Sequence, residues 1–335
     1  MACWTLLPVP NGRVKWRPMD EFALIDALVE ILGDNVRGPG ILLGPGDDAS
    51  LVEPPAGSLT ASSIDTLVAG VHFPSAAPAD LVGFRAMGVS VSDLAAMGAV
   101  PAYALIAVTL PEGSDRWLEQ FAHGVAAAAS RFAIKIVGGN LARGPLNVSV
   151  SVHGYVGLGE ALTRSGARPG DLVCVSGALG GAAAALNRAD LESPPPMQAL
   201  LALQPHDVRY PLRRYYAPEP RVALGRALRG LASATIDVSD GLVADLGHVC
   251  AASGVAGVID LELVPVVSGV SAQLAATGGD DYELCFTIAQ GDVPRLGALP
   301  TAATVVGRIE PGGGVSVSSG GREVQLERGG FSHFR

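Results

Sequence analysis

The chain has 335 residues, of which 49% are apolar, and a formal net charge of −9. Its length is about twice that of a typical domain, so two domains are expected, and the apolar content is sufficient for packed cores. The positive charge is almost entirely arginine spread along an acidic chain, which argues against a nucleic-acid partner, and the longest strongly apolar stretch, residues 99–110, is too short for the roughly 20 residues of a membrane-spanning helix.

Residues 1–18 are predicted to form an extension outside the fold. The mildly apolar segment 4–10 is followed by basic residues instead of being preceded by them, and no small-residue cleavage site comes after it, so it does not resemble a secretion signal. The cysteines at 3, 174, 250 and 285 have no paired spacing, which predicts reduced structural thiols in a cytoplasmic protein without a membrane anchor.

The first predicted domain spans residues 19–157. It opens with an amphipathic helix that ends at Gly33, and the glycine- and proline-rich stretch 38–48 then predicts a loop. The elements predicted after this loop are a strand at 58–63, a helix at 79–98, a buried strand at 103–110, a helix at 114–131, a strand at 133–137 ending at Gly138 and Gly139, and a half-buried strand at 147–156.

The second predicted domain spans residues 158–335, and the stretch 157–169 is the expected join. Its predicted elements are a strand at 171–176, a turn at 177–181, an alanine-rich helix, a proline-rich break at 193–196, a strand at 234–238, a helix from near 240 to 252, and strands at 255–261, 283–288 and 304–309. Strands and helices alternate without a long helical repeat, which predicts an α/β (α+β) fold with mixed sheets flanked by helices.

Six aspartates in short, glycine-flanked clusters are the most informative feature of the chain: Asp47, Asp48, Asp65, Asp93, Asp237 and Asp240. Carboxylates crowded into one site resist ionisation unless a cation neutralises them, and oxygen ligands without nearby cysteine or histidine suit magnesium. The pattern therefore predicts a substrate that is a magnesium-bound polyphosphate.

Phosphate binding of the Walker type is excluded, because the chain has no G-x-x-x-x-G-K-[ST] loop. Of its two lysines, Lys15 and Lys135, the second lies in a predicted strand without flanking glycines. The charge that develops on a transferred phosphoryl group would then be met by magnesium ions, arginines and backbone amides.

Each acidic motif also has a purely structural explanation. The string at 44–48 can be an ordinary turn, and Ser239 or Asp240 can cap the helix that follows, although a cap does not explain Asp237. Asp93 would lie in a helix that buries most of one face, where a metal or an arginine must compensate its charge.

Other polar residues are equally ambiguous. The segment 138–145 is either a phosphate-facing loop or a tight turn, and Arg164 is either a nucleotide contact or a solvated side chain. His72 is the histidine nearest to an acidic cluster, and the other five form no recognisable constellation: His123, His153, His206, His248 and His333.

Taken in order, seven strings resemble the thiamine-monophosphate kinase family, over a match that runs from about Met19 to the end. They are GPGDD (44–48), DTLVAGVHF (65–73), VSDLAAMGA (91–99), GGNLARGP (138–145), LTRSGA (162–167), IDVSDGL (236–242) and GGDDYELCF (278–286). The resemblance implies a two-domain fold shared with aminoimidazole ribonucleotide synthetase and a homodimer formed through the amino-terminal half. It also implies ATP-dependent phosphorylation of thiamine monophosphate to thiamine diphosphate by direct in-line transfer with several Mg²⁺ ions.

The same resemblance implies roles for individual residues. Asp48, Asp93 and Asp237 are expected to be catalytic. The expected magnesium ligands are Asp48, Ser63, Asp65, Asp93, Asn140, Asp237 and Asp240; the expected ATP contacts are Gly139, Arg164 and Ser239; and the expected contacts to thiamine monophosphate are His72, Asp280 and Phe331. The acceptor phosphate is already an anion, so no general base is expected.

Four residues depart from the family pattern. Asn140 stands where an aspartate is usual, and an amide oxygen can ligate magnesium but brings no charge. Ile64 replaces a common threonine, Asp280 is one methylene shorter than the usual glutamate, and Phe331 lacks the hydroxyl of the usual tyrosine. The main carboxylates are present, which favours an active enzyme.

Two alternatives remain at this point. The first is a non-catalytic or divergent nucleotide-binding paralogue of the same fold. The second is another ATP-using enzyme of the fold, selenophosphate synthetase or the hydrogenase-maturation carbamoyl dehydratase, each of which depends on a reactive cysteine. The chain ends in Phe-Ser-His-Phe-Arg, and Cys3 lacks glycine-rich surroundings, so the second alternative is disfavoured.

Overall fold

The computed structural model describes residues 4–7, 15–18, 21–111, 114–326 and 330. The chain divides into two compact units, the first made of Met1–Pro55, Ser62–Ser90 and Ala102–His153 and the second of Ala56–Ala61, Val91–Pro101 and Gly154–Arg335. Within the described residues, no helix is both long and apolar enough to cross a membrane. The predicted domain boundary between residues 157 and 158, like the predicted extension 1–18, stays a prediction.

The amino-terminal half is built around a four-stranded sheet. Its elements are β1 (Trp4–Leu7), β2 (Lys15–Pro18), α1 (Glu21–Leu32), β3 (Ile41–Leu43), β4 (Leu51–Val52), β5 (Ser58–Val68), α2 (Ala79–Ala96), β6 (Val100–Leu110), α3 (Asp115–Phe132), β7 (Lys135–Arg143) and β8 (Asn147–Gly157). The sheet has the strand order β5-β8-β6-β7, with β6 and β7 parallel, while β1–β2 and β3–β4 form separate two-stranded sheets.

The two faces of the four-stranded sheet differ in composition, as the alternation of side chains along a strand requires. In β8, Val148, Val150 and Val152 are fully buried, which agrees with the predicted half-buried strand. In β6, Ile106 is buried, whereas Leu105 is 38% exposed. The prediction of a wholly buried strand at 103–110 is therefore wrong, because β6 has one buried face and one exposed face.

Two predictions about glycine-rich segments are also wrong, and one predicted strand is longer than expected. Residues 38–48 are not all loop, because strand β3 lies inside that stretch and pairs with β4. The strand predicted at 58–63 continues to Val68, so Asp65 lies within it, and the strand predicted to end at Gly138 and Gly139 continues to Arg143. A Cβ at Gly139 would lie 2.1 Å from the Ile106 carbonyl oxygen, so this glycine permits the close approach of β7 to β6 instead of forming a turn.

The carboxyl-terminal half contains a seven-stranded mixed sheet. Its elements are β9 (Leu172–Ser176), α4 (Gly181–Ala185), α5 (Met197–Ala202), α6 (Tyr210–Tyr216), α7 (Val222–Ala227), β10 (Ala234–Asp237), α8 (Leu242–Ser253), β11 (Ala256–Asp260), α9 (Ala272–Thr277), β12 (Leu284–Ile288), β13 (Ala303–Glu310), β14 (Gly314–Ser319) and β15 (Arg322–Glu323). The strand order is β10-β12-β9-β13-β11-β14-β15, and β11 pairs with β14 in parallel.

Both faces of this sheet are apolar, and alternate residues of one strand enter different clusters. Ile236 and its cross-strand partner Cys285 belong to one cluster, while Leu284 and Phe286 belong to a second cluster on the opposite face. Burial on both faces explains why all five residues of β12 are buried and four of them are apolar, with Thr287 the exception. The cysteines at 174, 250 and 285 are free and buried, as predicted, and Cys3 lies outside the described residues.

The packing of α3 against the start of α2 generates a test of the fold. A Cβ at Gly124 would lie 1.8 Å from the Asp80 carbonyl oxygen, whereas a Cβ at Gly247 in α8 would meet nothing nearer than 4.0 Å. Alanine is favoured over glycine in a helix by about 1 kcal/mol. Gly124→Ala should nevertheless lower the unfolding free energy by about 1–3 kcal/mol, because the helices must separate.

The matched control, Gly247→Ala, should raise the stability by up to about 1 kcal/mol, since helix propensity acts there without a clash. Urea unfolding followed by circular dichroism measures both changes. Equal stabilisation by the two substitutions would show that α2 and α3 do not approach each other this closely.

Candidate active site

Asp237 ends strand β10 and is 4% exposed. It pairs with Leu284 of β12, and residues paired across antiparallel strands project from the same face of a sheet. Leu284 packs in the same cluster as Ala96, near the end of α2. Asp93 precedes Ala96 by three residues and so lies on the same face of that helix. Asp93 and Asp237 therefore lie towards the same face of the second unit's sheet.

The turn 238–241, which follows β10, contacts the loop 278–283 through its main chain. The Asp280 amide donates to the Ser239 carbonyl oxygen, and the Tyr282 amide donates to the Val238 carbonyl oxygen, each at 2.8 Å. A Cβ at Gly279 would lie 2.4 Å from the Ser239 carbonyl oxygen, so a glycine is needed for this approach. The structure thereby brings Asp237, Ser239, Asp240 and Asp280 close together.

Asp245 shapes this turn from within α8. Its Oδ2 accepts hydrogen bonds from the amides of Ser239, Asp240 and Gly241, each at 3.0 Å. Helix α8 begins at Leu242 and its N-cap is Gly241, which has no side chain to act as a cap. The structural alternative in which Ser239 or Asp240 caps the helix is therefore wrong, because the N-cap is Gly241 and no side chain makes a cap hydrogen bond there.

The environment of Asp245 also affects its ionisation. Burial raises the pKa of Asp245 to about 7, and the negative charge of Asp240 acts in the same direction. The hydrogen bonds from the three backbone amides lower this pKa and so oppose the change. Potential ligand atoms of Asp240, Asp245 and His248 lie within 4.8 Å of one another. His248, which the sequence placed in no constellation, thus lies beside an acidic pair one helical turn away.

Glu283 is the centre of a buried ion-pair network under the loop 278–283. It is fully buried, and its carboxylate accepts bonds from Arg214 at 3.0 Å, from Nε of Arg221 at 2.7 Å and from the Ser176 hydroxyl at 2.5 Å. Burial alone would raise the pKa of Glu283, but the two arginines and the hydroxyl outweigh it and lower that pKa. Removing one partner of such a buried pair costs about 3–5 kcal/mol.

Arg164, expected to contact ATP, lies at the other end of α8. The Thr235 amide, near the start of β10, donates to the Thr163 carbonyl oxygen at 2.8 Å, and the Ser253 hydroxyl donates to the Arg164 carbonyl oxygen at 3.3 Å. Ser253 is the last residue of α8, a helix of 12 residues. At 1.5 Å per residue, the main chain of Arg164 is about 18 Å from the turn that contains Ser239, so the structure does not bring these two residues together.

In the first unit, Ser63 and Asp65 share one side of β5, and the exposed residues Ser62, Ile64 and Thr66 share the other. His72 lies in the turn after this strand, where its Nδ1 accepts a bond from the Val68 amide at 2.9 Å. The neutral imidazole must then carry its proton on Nε2, which makes that nitrogen a donor suited to a phosphate oxygen.

Asp48 and Asn140 lie in other segments of the first unit than Asp65, which is in β5. Asp48 is exposed, and its amide donates to Oδ1 of Asp47 at 2.8 Å. Asn140 pairs with the exposed Ala107 on β7, at the edge of the sheet opposite to β5. Three strand spacings, about 14 Å, separate these two edges. Phe331, which is expected to contact thiamine monophosphate, lies outside the described part of the chain.

Comparisons with known proteins agree with this architecture. Residues 46–156 match the family "AIR synthase related protein, N-terminal domain", and residues 168–319 match its C-terminal counterpart. The thiamine-monophosphate kinase of Escherichia coli K12 is 41% identical over 318 residues, which cover 90% of this chain and 95% of that protein. The chain belongs to the thiamine-monophosphate kinase family.

Solved structures extend the comparison to the fold. The thiamine-monophosphate kinase of Stenotrophomonas maltophilia K279a is 40% identical, with a TM-score of 0.77 and coverage of 90% of this chain and 97% of that one. AaThiL complexed with AMPPCP and TMP is 30% identical, with a TM-score of 0.71 and coverage of 97% and 100%. The predicted family and the predicted two-domain fold with mixed sheets are confirmed.

No functional role was predicted from the sequence for four residues that shape the site: Asp245, Arg214, Arg221 and Glu283. For Asp245, the available signal was an acid in the first turn of a helix whose N-cap is a glycine. For the other three residues, no local signal exists, because Glu283 meets Arg221 from 62 positions away and Ser176 from 107 positions away.

The raised pKa of Asp245 predicts a pH dependence of stability in magnesium-free buffer. An acid whose pKa is about 7 in the folded chain, against roughly 4 when unfolded, holds its proton more tightly when folded. Its contribution to stability is therefore present below about pH 4 and is lost as the pH rises to about 7. Asp245→Asn keeps an oxygen acceptor and has no proton to lose.

The unfolding free energy of Asp245→Asn, relative to that of the natural chain, should rise between about pH 4 and 7 and stay level outside this range. Denaturant titrations in the presence of a chelator at a series of pH values measure this difference. If the difference in unfolding free energy does not change across this pH range, the hydrogen bonds from the three backbone amides keep Asp245 ionised throughout.

Proposed function

We propose that the chain transfers the γ-phosphoryl group of ATP to thiamine monophosphate and releases thiamine diphosphate. This proposal depends on one observation, which is that Asp237, Ser239, Asp240 and Asp280 lie close together in a chain whose relatives are named thiamine-monophosphate kinase. A further support is AaThiL, which was solved with AMPPCP, a non-hydrolysable ATP analogue, and TMP.

We also propose that Mg²⁺ is the resident cation. The donors at the site are carboxylates, and Asp237, only 4% exposed, shares a sheet face with Asp93. Carboxylate oxygens are ligands that a hard divalent cation prefers, so the donor set fits Mg²⁺. Asp93, Asp237 and Asp240 would hold an ion in the second unit, and Ser63 and Asp65 would hold one in the first. When bound, Mg²⁺ neutralises phosphate oxygens and the charge of the transferred phosphoryl group.

The chain's own residues have the remaining tasks. Nε2 of His72 donates a hydrogen bond to the acceptor phosphate, an orientation fixed by the Val68 amide on Nδ1. No side chain needs to remove a proton, because the attacking oxygen already belongs to a phosphate anion. We also propose the roles that the family resemblance implies for five further residues: Asp48, Asn140, Gly139, Arg164 and Phe331. The proposal includes a cytoplasmic location and no nucleic-acid partner.

Substituting the two central carboxylates tests the catalytic proposal. Asp93→Asn and Asp237→Asn each remove one charge at nearly constant shape, and each should lower kcat by at least about 100-fold, because charge stabilisation in the transition state is lost. Formation of thiamine diphosphate from ATP, Mg²⁺ and thiamine monophosphate, followed by chromatography, measures the effect. Circular dichroism checks that each variant is folded.

Asp260→Asn is the matched control, since Asp260 lies at the end of β11 and caps its own turn through the Glu262 amide at 3.1 Å. This control should keep the natural rate. Natural rates in either Asp93→Asn or Asp237→Asn would refute the catalytic assignment. Binding of ATP by the natural chain without any product would instead favour the non-catalytic paralogue.

We further infer that the chain is a homodimer that pairs through the exposed face of its four-stranded sheet. Ile64 is 65% exposed and Leu105 is 38% exposed on this face, which is a large apolar area for a free surface. The edge strands of this sheet are β5 and β7, and within the described residues the outer edge of each is open for pairing with another strand.

Leu105→Glu should convert the dimer to a monomer, because it places an uncompensated charge in the apolar interface. Analytical ultracentrifugation at micromolar concentration measures the assembly state. Val208→Glu is the control, since Val208 is 80% exposed in the second unit and its substitution should leave the dimer intact. A natural chain that sediments as a monomer would overturn the proposed assembly.

A further inference from the structure

The loop 278–283 contains two residues in a conformation that L-amino acids rarely adopt. Asp280 has a φ of 68° and Tyr282 has a φ of 51°. The left-handed conformation is unfavourable for a residue that carries a Cβ, because the Cβ then approaches the following carbonyl oxygen. Two such residues within three positions persist only where the surroundings determine the backbone, and strain of this kind is concentrated at functional sites.

The surroundings hold this loop from both sides. The amides of Asp280 and Tyr282 are fixed by the turn after β10, as described above. Between them, the Asp281 carboxylate accepts bonds from the amides of Gly180 at 2.6 Å and Gly181 at 3.2 Å, and Arg214 donates to the Asp281 carbonyl oxygen at 2.9 Å. The backbone of the loop is therefore rigid before any ligand arrives.

The strained backbone has one direct consequence for the side chains. The Tyr282 hydroxyl donates to Oδ1 of Asp280 at 2.8 Å. A hydrogen bond to a carboxylate is charge-assisted and fixes the orientation of the group that accepts it. We propose that Tyr282 is a positioning residue, which sets the Asp280 carboxylate in the orientation that binds the acceptor substrate. This inference rests on the proposed function.

The part of the acceptor that meets Asp280 follows from charge. Asp280 is an anion beside the turn that carries Asp240, so it repels a phosphate group. Thiamine monophosphate carries a permanent positive charge on its thiazolium ring, and a carboxylate attracts that ring. Tyr282 therefore acts on the binding of thiamine monophosphate, through Asp280, and not on the binding of ATP.

Tyr282→Phe removes the hydroxyl and keeps the ring. It should raise KM for thiamine monophosphate about tenfold, the usual effect of losing one hydrogen bond to a charged group. KM for ATP and kcat should each stay within about twofold. Tyr282→Phe added to Asp280→Asn should cause no further rise in KM for thiamine monophosphate, because the two side chains act through one contact.

Tyr216→Phe is the matched control, since the hydroxyl of Tyr216 donates to the Leu191 carbonyl oxygen at 2.5 Å and serves the fold alone. It should lower thermal stability and leave both KM values unchanged. Equal effects of Tyr282→Phe on the two substrates, or additive effects of Tyr282→Phe and Asp280→Asn, would overturn the positioning role. A natural chain without thiamine diphosphate formation would refute the proposed function and this inference together, whereas an active natural chain with an unaffected Tyr282→Phe variant refutes the inference alone.

Discussion

Three main-chain hydrogen bonds join the turn after β10 to the loop before β12, and the site in the second unit depends on them. They run from Val238 to Glu283, from Tyr282 to Val238 and from Asp280 to Ser239, each at 2.8 Å. They continue the antiparallel pairing of the two strands beyond its regular end. Because these three bonds are made by the main chain, the carboxylates of the two segments are not used in making them.

The acids around this junction divide into two groups with different partners. Asp245, Asp281 and Glu283 are buried, and their carboxyl oxygens accept bonds from backbone amides or arginines, which holds the turn and the loop in place. Asp237 and Asp240 project from the same backbone. A small region can hold this many acids because burial raises the pKa of Asp245 and Asp281 to about 7, and because two arginines compensate the charge of Glu283.

The sequence predicted the elements whose patterns are periodic. The alternation at 147–156 and the helical spacing at 79–98 were confirmed by β8 and α2 to within two residues at each end, because one buried face determines such a pattern. Glycine misled the prediction at Gly138 and Gly139, since the same residue permits either a turn or a close approach between strands. The close approach of Ile106 to Gly139 decides in favour of a strand, and this approach results from the pairing of β7 with β6.

Long-range partners limited the prediction of the site in a different way. The family strings identified Asp237, Ser239, Asp240 and Asp280 as neighbours in function, and the structure shows that they are neighbours in space. The strings could not indicate that Asp245 satisfies the turn or that Arg214 and Arg221 neutralise Glu283, because these contacts exist only once the chain has folded. The physical reasons for the loop conformation therefore lie outside the motif that contains it.

The net charge around this loop indicates which kind of ligand it can bind. The turn, the loop and the arginines beneath them contain four acids, Asp237, Asp240, Asp280 and Glu283, against Arg214 and Arg221, a formal charge of −2. Asp245 and Asp281, whose pKa burial raises to about 7, add negative charge as the pH rises. Lys135 does not change this balance, because its ammonium group donates to the Asp34 carbonyl oxygen in the first unit. A nucleotide polyphosphate brings further negative charge, so it can approach these acids only together with cations. The charge of the turn and the loop is therefore the physical reason for proposing a magnesium-bound nucleotide as the ligand.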